Sequence, residues 1–436
     1  MSELLVVKFG GTSMAKPERV VPHLEAPGYN PDVAVVSAAG GDDEYPWRVT
    51  NALLGEYGSL YGPDEIKARY EAILIKTACD NPESRTVTDN IPRDIAEWTA
   101  KGDPVEALGE IWSGKLLSIQ TGRTFVDARE LIFFHNDGTL NEDVTNVAIR
   151  SMLGNGGQFV VNGFCGMRAD GRVQVFPRGG SDITGALIAR ALQAPEYHNW
   201  SDVPGFMSAD PKKVHDAQLL ERITYREARE IGNGGSQLLH RVVLSLLGGT
   251  GIKTIMKDTF GALGNTGTAI VDERAWQWQP IVSVTGRDDL SYIALHEFGM
   301  NEGVGRTVDV YTELKDAGVP YEHAADATDD VSIVGSNQYK DEIEAIAAKL
   351  RRPGRRLGTR PVGLVHVVGE GLVQSGISRL KILGLVATAL SEAGIEGRGA
   401  TDVAESATMT LFINPKMVDD AIMVAHSALG LGRKLS

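Results

Sequence analysis

The first 270 residues alternate short apolar runs with longer stretches of helical spacing, and this order constrains the fold more than any other feature. A short apolar run has the length of a buried strand, whereas apolar residues three and four positions apart predict one face of a helix. Strands that alternate with helices form a largely parallel sheet. The sequence therefore predicts an α/β domain, with strands at residues 4–7, 33–36, 124–132, 159–161, 173–176, 252–256 and 269–271.

One helix, beginning after residue 103, is predicted in detail. Asp103 is a suitable N-cap, Glu106 stands three residues later as in a capping box, and Gly122 predicts the end of the helix. The apolar stripe of this helix consists of Val105, Leu108, Trp112, Leu116 and Ile119.

The order changes near residue 280, where two similar strand and helix units follow one another. The first unit predicts strands at residues 281–284, 292–295 and 331–334 and a helix at 305–317; the second predicts strands at 362–368 and 407–413 and helices at 378–393 and 416–429. Residues 349–360, rich in Arg and Gly, predict an exposed connection. The repetition indicates a duplicated small sensor module.

Composition excludes several classes of function. A chain of 436 residues suggests two or three domains, and its net charge of −14 argues against binding nucleic acid or an acidic membrane. No apolar run is long enough to span a bilayer, so we expect a cytoplasmic protein. Cys79 and Cys165 have neither metal-ligand nor redox spacing, and the histidines form no zinc motif or triad pattern, so we expect no metal bound by the protein alone.

A first glycine turn, Lys-Phe-Gly-Gly-Thr-Ser at residues 8–13, follows the first predicted strand. Two glycines let backbone N–H groups approach an anion, a helix start adds partial positive charge, and Lys8 adds a full charge. The lysine precedes the glycines, so this is not the Walker A pattern. The segment predicts a phosphate site, although a simple tight turn has the same pattern.

A second glycine turn, Arg-Gly-Gly-Ser-Asp at residues 178–182, also lies between a predicted strand and a predicted helix. Arg178 can bind a carboxylate with two hydrogen bonds, and Asp182 can position Lys8 or help to hold Mg²⁺. A capped helix start is the simpler interpretation of this turn. Two such turns in one α/β domain favour a phosphoryl-transfer site.

These two turns and residues 200–212, Trp-Ser-Asp-Val-Pro-Gly-Phe-Met-Ser-Ala-Asp-Pro-Lys, resemble the three signature segments of aspartokinases. The resemblance implies the amino acid kinase fold, a central largely parallel sheet flanked by helices, in residues 1–275. It implies two ferredoxin-like ACT domains in a regulatory region, residues 276–436, at about 280–350 and 361–436. It further implies ATP and Mg²⁺ as cofactors, and transfer of the γ-phosphate to the side chain of L-aspartate, the first step of lysine, threonine and methionine biosynthesis.

The resemblance also implies roles for individual residues. The expected catalytic residues are Lys8, Arg178 and Asp182. The expected aspartate-binding residues are Ser37, Thr50, Glu110, Arg178, Gly179, Gly180 and Ser181, with Glu110 accepting from the α-ammonium group unless it is merely a solvated glutamate. The expected nucleotide-binding residues are Lys8, Phe9, Gly10, Gly11, Thr12, Ser201, Asp202, Met207, Asp210, Lys212 and Gln237. The expected site for lysine or threonine as feedback inhibitor consists of Asn301, Glu302, Gly303, Val304, Gly305, Asp329 and Asp330.

The chain departs from the common family pattern at several positions. Ser201 replaces a Thr, Met207 replaces a Tyr, and the segment around Gln237 lacks a Lys that faces phosphate in many relatives. An insertion at residues 41–48 resembles a monofunctional subgroup of Gram-positive bacteria, in which that Lys is also absent. Two alternatives stay open: another amino acid kinase, acting on glutamate, acetylglutamate or a nucleoside monophosphate, and a regulatory protein with a degenerate kinase domain. ACT domains pair between chains, so we expect a homo-oligomer.

Overall fold

The computed structural model describes residues 4–177, 179–236, 238–299, 302, 306–350, 355–374, 378–402 and 405–432. The chain forms two compact units. The first unit contains Met1–Phe206, Glu221–Tyr225 and Leu238–Arg274. The second unit contains Met207–Leu220, Arg226–Gln237 and Ala275–Ser436. The domain limits expected at residues 275 and 276 stay a prediction.

The described helices and strands follow one another along the whole chain. The strands are β1 Leu5–Phe9, β2 Val33–Val36, β3 Thr124–Val126, β4 Phe133–Phe134, β5 Phe159–Asn162, β6 Cys165–Arg168, β7 Val173–Val175, β8 Glu196–Ser201, β9 Arg222–Thr224, β10 Lys253–Asp258, β11 Thr268–Val271, β12 Ser283–Glu297, β13 His323–Asp326, β14 Asp330–Ser336, β15 Arg355–Val368, β16 Gly397–Asp402 and β17 Thr408–Ile413. The α-helices are α1 Gly11–Met14, α2 Pro17–Leu24, α3 Val49–Leu53, α4 Pro63–Lys76, α5 Pro82–Asp89, α6 Ile91–Lys101, α7 Leu108–Thr121, α8 Glu142–Leu153, α9 Gly180–Ala191, α10 Tyr225–Asn233, α11 Arg241–Leu247, α12 Arg306–Asp316, α13 Lys340–Lys349, α14 Arg379–Glu392 and α15 Val418–Ala428.

The first unit is built on an eight-stranded sheet in the order β3-β5-β2-β1-β8-β10-β11-β9. The six strands from β3 to β10 run parallel, whereas β11 is antiparallel to β10. Strands such as β2, with all four residues buried, have both faces covered by helices, as a parallel sheet requires. The predicted α/β class with a largely parallel sheet is confirmed.

Strand β8 lies at the centre of this sheet, between β1 and β10, and the apolar pattern did not predict it. Its residues Tyr197, His198 and Asn199 are polar or amphipathic, yet they are buried. His198 and Asn199 have polar partners from distant segments: Nδ1 of His198 is 2.7 Å from the hydroxyl of Tyr29, and Nδ2 of Asn199 donates to Asp182. Such hydrogen bonds offset the cost of burying polar groups. A search for hydrophobic periodicity does not detect a strand of this kind.

Two local predictions in the first unit were wrong in part. The expected strand at residues 124–132 ends at Val126, because the carboxylate of Asp127 accepts from the N–H of Arg129 and begins a 3₁₀ turn. The helix expected after residue 103 begins with a 3₁₀ turn, Val105–Ala107, and neither this turn nor α7 has a side-chain cap, so the capping box is absent. Its end is as predicted, since Gly122 has a left-handed φ of 68°.

The second unit contains a six-stranded antiparallel sheet in the order β13-β14-β12-β15-β17-β16. The two predicted modules therefore share one continuous sheet, joined along the long strands β12 and β15. Residues 283–284 of the strand expected at 281–284, and the whole of the strand expected at 292–295, are parts of β12, which is irregular between Arg287 and Leu290.

The exposed connection predicted at residues 349–360 was wrong in part. Residues 351–354 lie outside the described residues, but Arg355–Arg360 belong to β15 and pair with β12 from Glu297 to Tyr292. Arg356, Gly358, Thr359 and Arg360 are all exposed, so this stretch lacks the apolar alternation by which a strand is recognised in a sequence. Among the helices of the described chain, none combines the length and apolar character needed to cross a bilayer.

Candidate active site

The segments that follow three neighbouring parallel strands meet at one edge of the eight-stranded sheet. Backbone hydrogen bonds tie them together: the N–H of Gly10 donates to the carbonyl of Trp200, that of Ser37 to Phe9, and that of Gly163 to Val36. Gly10, Ser37 and Gly163 directly follow β1, β2 and β5, and Trp200 lies near the end of the neighbouring strand β8. The carboxyl edge of a parallel sheet is where ligands bind in open α/β folds.

A cavity of about 250 Å³ lies at this edge, within the first unit. Both glycine turns contribute to it, so the two segments predicted to meet do line one space. Arg178 itself lies outside the described residues. The cavity is lined by Lys8, Gly11, Thr12, Ser37, Ala38, Ala39, Gly40, Arg48, Thr50, Asn51, Leu54, Glu110, Phe164, Gly179, Gly180, Ser181 and Asp182.

Lys8 and Asp182 form an ion pair at the cavity. The Lys8 Nζ lies 2.5 Å from Oδ1 of Asp182, and Lys8 is 7% exposed. The same carboxylate oxygen accepts from Nδ2 of Asn199, 3.0 Å away on β8. The ammonium group is therefore held in one position, with its charge directed at the cavity where a bound anion would meet it.

Glu110 lies in the first turn of α7 and is 5% exposed. Its Oε2 has no hydrogen-bond partner, although the backbone of Ala38 bonds to the carboxyl group. Burial raises the pKa of Glu110 to about 8, and the charge of nearby Lys8 only partly opposes this. The solvated-glutamate alternative is therefore wrong. A buried acceptor without a partner at a cavity wall is suited to bind a cationic donor of a ligand.

The segment at residues 38–48, of which 38–40 and 48 line the cavity, is held by close packing and by one buried arginine. A Cβ atom at Gly40 would lie 2.6 Å from the carbonyl carbon of Gly11, so only glycine permits this approach. Arg69 of α4 donates to the carbonyl oxygens of Gly40 and Trp47, and its guanidinium lies 4.8 Å from the Trp47 ring. The first glycine turn, at residues 8–13, and this segment are therefore packed tightly against each other.

Sequence reasoning missed two cavity residues and one residue that positions the ion pair. Arg48 and Asn51 line the cavity, and Asn199 orients Asp182. Arg48 stood at the end of the 41–48 insertion, which had been interpreted only as a mark of a subgroup. A basic residue two positions before the predicted substrate residue Thr50 was a signal that could have identified it. Among the described residues that line the cavity, Lys8 and Arg48 are the cations.

The remaining predicted nucleotide residues are divided between the two units. Phe9 is buried and stacks on Trp200, 5.8 Å between ring centroids, so its side chain belongs to the core. Ser201 ends β8 and Asp202 is exposed, both in the first unit. Met207, Asp210 and Lys212 lie in the second unit. Gln237 lies outside the described residues.

The predicted feedback site lies in the second unit and is only partly described. Asn301, Gly303, Val304 and Gly305 fall outside the described residues, whereas Glu302 lies in the described part. The carboxylate of Asp329 accepts from the N–H of Gly299 at 2.9 Å, and Asp330 lies 2.9 Å from Nδ1 of His296. These two aspartates therefore lie beside the end of β12.

A largely parallel sheet with a buried lysine and two glycine turns at its carboxyl edge is typical of an α/β protein with a ligand site at that edge. The family model for the amino acid kinase family matches residues 3–258, and the chain belongs to that family.

Aspartokinases are among its relatives. Aspartokinase 3 of Bacillus subtilis is 27% identical over 350 residues, covering 76% of this chain and 77% of the relative. The aspartokinase of Pseudomonas aeruginosa is 27% identical over 395 residues, covering 85% of each chain. The crystal structure of Clostridium acetobutylicum aspartate kinase superposes with a TM-score of 0.80 at 25% identity, covering 98% of this chain and all of the other. The resemblance to aspartokinases and the predicted fold class are thereby confirmed.

Proposed function

We propose that this chain is an aspartokinase, which transfers the γ-phosphate of ATP to the side-chain carboxylate of L-aspartate and forms 4-phospho-L-aspartate. The observation that carries the proposal is one cavity lined by the Lys8–Asp182 ion pair and by Glu110, whose Oε2 has no hydrogen-bond partner. The cation suits a nucleotide phosphate, and the carboxylate suits an α-ammonium group. The family match and the aspartokinase relatives support the same assignment.

The proposed reaction needs no general base. The side-chain carboxylate of free aspartate has a pKa near 3.9, so the attacking oxygen is already ionised at neutral pH. The task of the site is to bring two anions together and to stabilise the charge of the transferring phosphoryl group. Lys8 supplies that stabilisation from a fixed position, because Asp182 and Asn199 hold it before the substrates bind.

Besides holding Lys8, Asp182 is suited to serve as an oxygen ligand for Mg²⁺. Mg²⁺ is typically held by one or two carboxylates together with substrate phosphates, so a single carboxylate at the cavity is sufficient. No group of three or more His, Cys, Asp or Glu side chains in the described part of the chain is arranged to hold a metal ion. The bound ion would neutralise charge on the phosphates, while Asp182 continues to orient Lys8.

Arg48 is proposed to bind a carboxylate of aspartate. Arg48→Met should raise the KM for aspartate by about tenfold to thirtyfold with little change in kcat, because a charged hydrogen bond made before and during the reaction is lost. Initial-rate kinetics measure this, with Arg93→Met on the surface of α6 as the matched control. A fall in kcat with unchanged KM would reassign Arg48 to the transferring phosphoryl group.

The proposed activity is tested by an assay of ADP release coupled to hydroxamate trapping of the acyl phosphate. L-aspartate should give both signals, whereas glutamate, acetylglutamate and nucleoside monophosphates should give neither. A chain that binds aspartate and ATP but forms no hydroxamate would be a degenerate kinase, and activity with one of the other acceptors would make it a different amino acid kinase. Either result would reject the proposal.

We also propose that lysine or threonine binds near residues 301–305, with Asp329 and Asp330, and favours a less active state of the kinase. Isothermal titration of the whole chain with each amino acid should give binding heat, and the same amino acid should lower the initial rate. By linkage, aspartate and ATP together should weaken effector binding by the same factor that the effector weakens theirs. Absence of heat with both amino acids would reject this regulation. We also propose that the chain forms a homo-oligomer through its ACT domains. Sedimentation of the whole chain measures this oligomeric state.

A further inference from the structure

A second polar cavity, of about 200 Å³, lies wholly within the second unit. Its walls are α10, through Glu230 and Asn233, and one face of the six-stranded sheet, through His366, Thr408 and Thr410. The alternation along β15 explains this face, because Val365 and Val367 point into the apolar core on the opposite side. We call this space the α10 cavity. It is separate from every residue assigned above to substrate or feedback binding.

His366 lines the α10 cavity and contains a buried hydrogen-bond acceptor without a partner. The residue is 7% exposed, and its Nδ1 has no hydrogen-bond partner. Burial lowers the pKa of His366 to about 4, so the ring is neutral at pH 7. The ring also hydrogen-bonds the backbone carbonyl of Glu230, which makes that nitrogen the protonated one. Nδ1 therefore carries a lone pair and requires a donor.

The charge at the α10 cavity is negative. Glu230 accepts from the hydroxyl of Thr408 at 2.9 Å, and a neutral hydroxyl does not balance its charge. The charge of Glu322, the other carboxylate at the wall, is balanced by Arg287 at 3.1 Å. None of the described residues that line the cavity is Lys or Arg. A ligand here must therefore bring both the positive charge and the hydrogen-bond donors.

We propose that the α10 cavity binds a small primary amine without a carboxylate group, whose ammonium donates to Nδ1 of His366 and to the carboxylate of Glu230. The volume accommodates about six water molecules, at roughly 30 Å³ each, or one amine of a few carbon atoms. An amino acid is disfavoured, because its carboxylate would lie beside Glu230 without a cation. This distinguishes the α10 cavity from the proposed feedback site.

The proposal is tested by titrating the full chain with ethanolamine and with 1,4-diaminobutane, followed by calorimetry and by ¹⁵N resonances of the histidine rings. Saturable heat should appear, and the Nδ1 resonance of His366 should move as that nitrogen gains a donor. Ethylene glycol and glycine should give neither effect. The proposal would be overturned by any of three results: no heat with either amine, a His366 resonance that does not move, or the same shift with KCl alone.

A charge-neutral variant locates the binding. Glu230→Gln keeps the side-chain shape and should weaken amine binding by at least about tenfold, as expected when one charged hydrogen bond is lost. Glu392→Gln, at the exposed end of α14, is the matched control and should bind as the native chain does. Should Glu230→Gln unfold, Thr410→Val at the cavity wall serves instead. Native affinity in the folded cavity variant would overturn the proposal.

Discussion

Lys8→Met should lower kcat for aspartate phosphorylation by about a thousandfold, while the KM for aspartate changes by less than about threefold. Lys8 is nearly buried, and its ammonium is held by Asp182 at 2.5 Å. Its charge acts mainly where negative charge develops during phosphoryl transfer, so its loss affects the transition state more than the bound substrates. Initial rates over a range of aspartate and ATP concentrations separate the two parameters.

Lys115→Met is the matched control for Lys8→Met, because Lys115 is exposed on α7. The control should retain native kinetics. Thermal unfolding of both variants shows whether the unpaired carboxylate of Asp182 alters the fold rather than the chemistry. Equal losses in kcat and in affinity for aspartate would assign Lys8 to ground-state binding, and native kcat in Lys8→Met would remove it from the site.

Glu110→Gln should weaken aspartate binding by about tenfold to a hundredfold and should remove its pH dependence. The pKa of Glu110 in the free protein is raised to about 8, so the carboxyl group is mostly protonated at pH 7. An ammonium ligand needs the ionised form, so binding must release a proton. In the native chain the KM for aspartate should therefore fall by about tenfold between pH 6.5 and pH 8.

The proton released on aspartate binding gives an independent measurement. The calorimetric enthalpy of the native chain should vary with the ionisation enthalpy of the buffer at pH 7, whereas that of Glu110→Gln should not. Glu130→Gln, at an exposed position, is the control and should behave as the native chain does. A pH-independent KM in the native chain would contradict the placement of the ammonium at Glu110.

The same carboxyl group should affect stability in the opposite sense to a salt bridge. Its folded-state pKa of about 8 lies above the ordinary value of 4.5, so the folded state holds an extra proton between these pH values. Stability is therefore lost as pH rises through this interval, and Glu110→Gln should be more stable than the native chain at pH 8 by roughly 4 kcal/mol. Denaturant unfolding at pH 5 should show no such gain. A less stable Glu110→Gln at pH 8 would contradict this.

Much of the first unit could be predicted from local patterns. The apolar run Val33–Val36 is a strand with the predicted limits, and Gly122 ends its helix as expected. Strand β8 could not be predicted, because Asn199 and His198 are stabilised in the core by Asp182 and Tyr29, which are distant in sequence. The strand at Arg355–Arg360 was missed for a related reason, since only its pairing with β12 shows its structure.

The amino-acid sequence by itself determined the class of fold, the two glycine turns, and the residue types available at their ends, Lys8 and Asp182 among them. These follow from backbone sterics and hydrophobic periodicity, which act between neighbours in the chain. Only the tertiary structure decided that Glu110 is buried with an unpartnered oxygen, that Arg48 reaches the cavity, and that His366 is neutral within a negative pocket. Burial and electrostatic environment depend on packing between segments far apart in sequence, so no local pattern contains them.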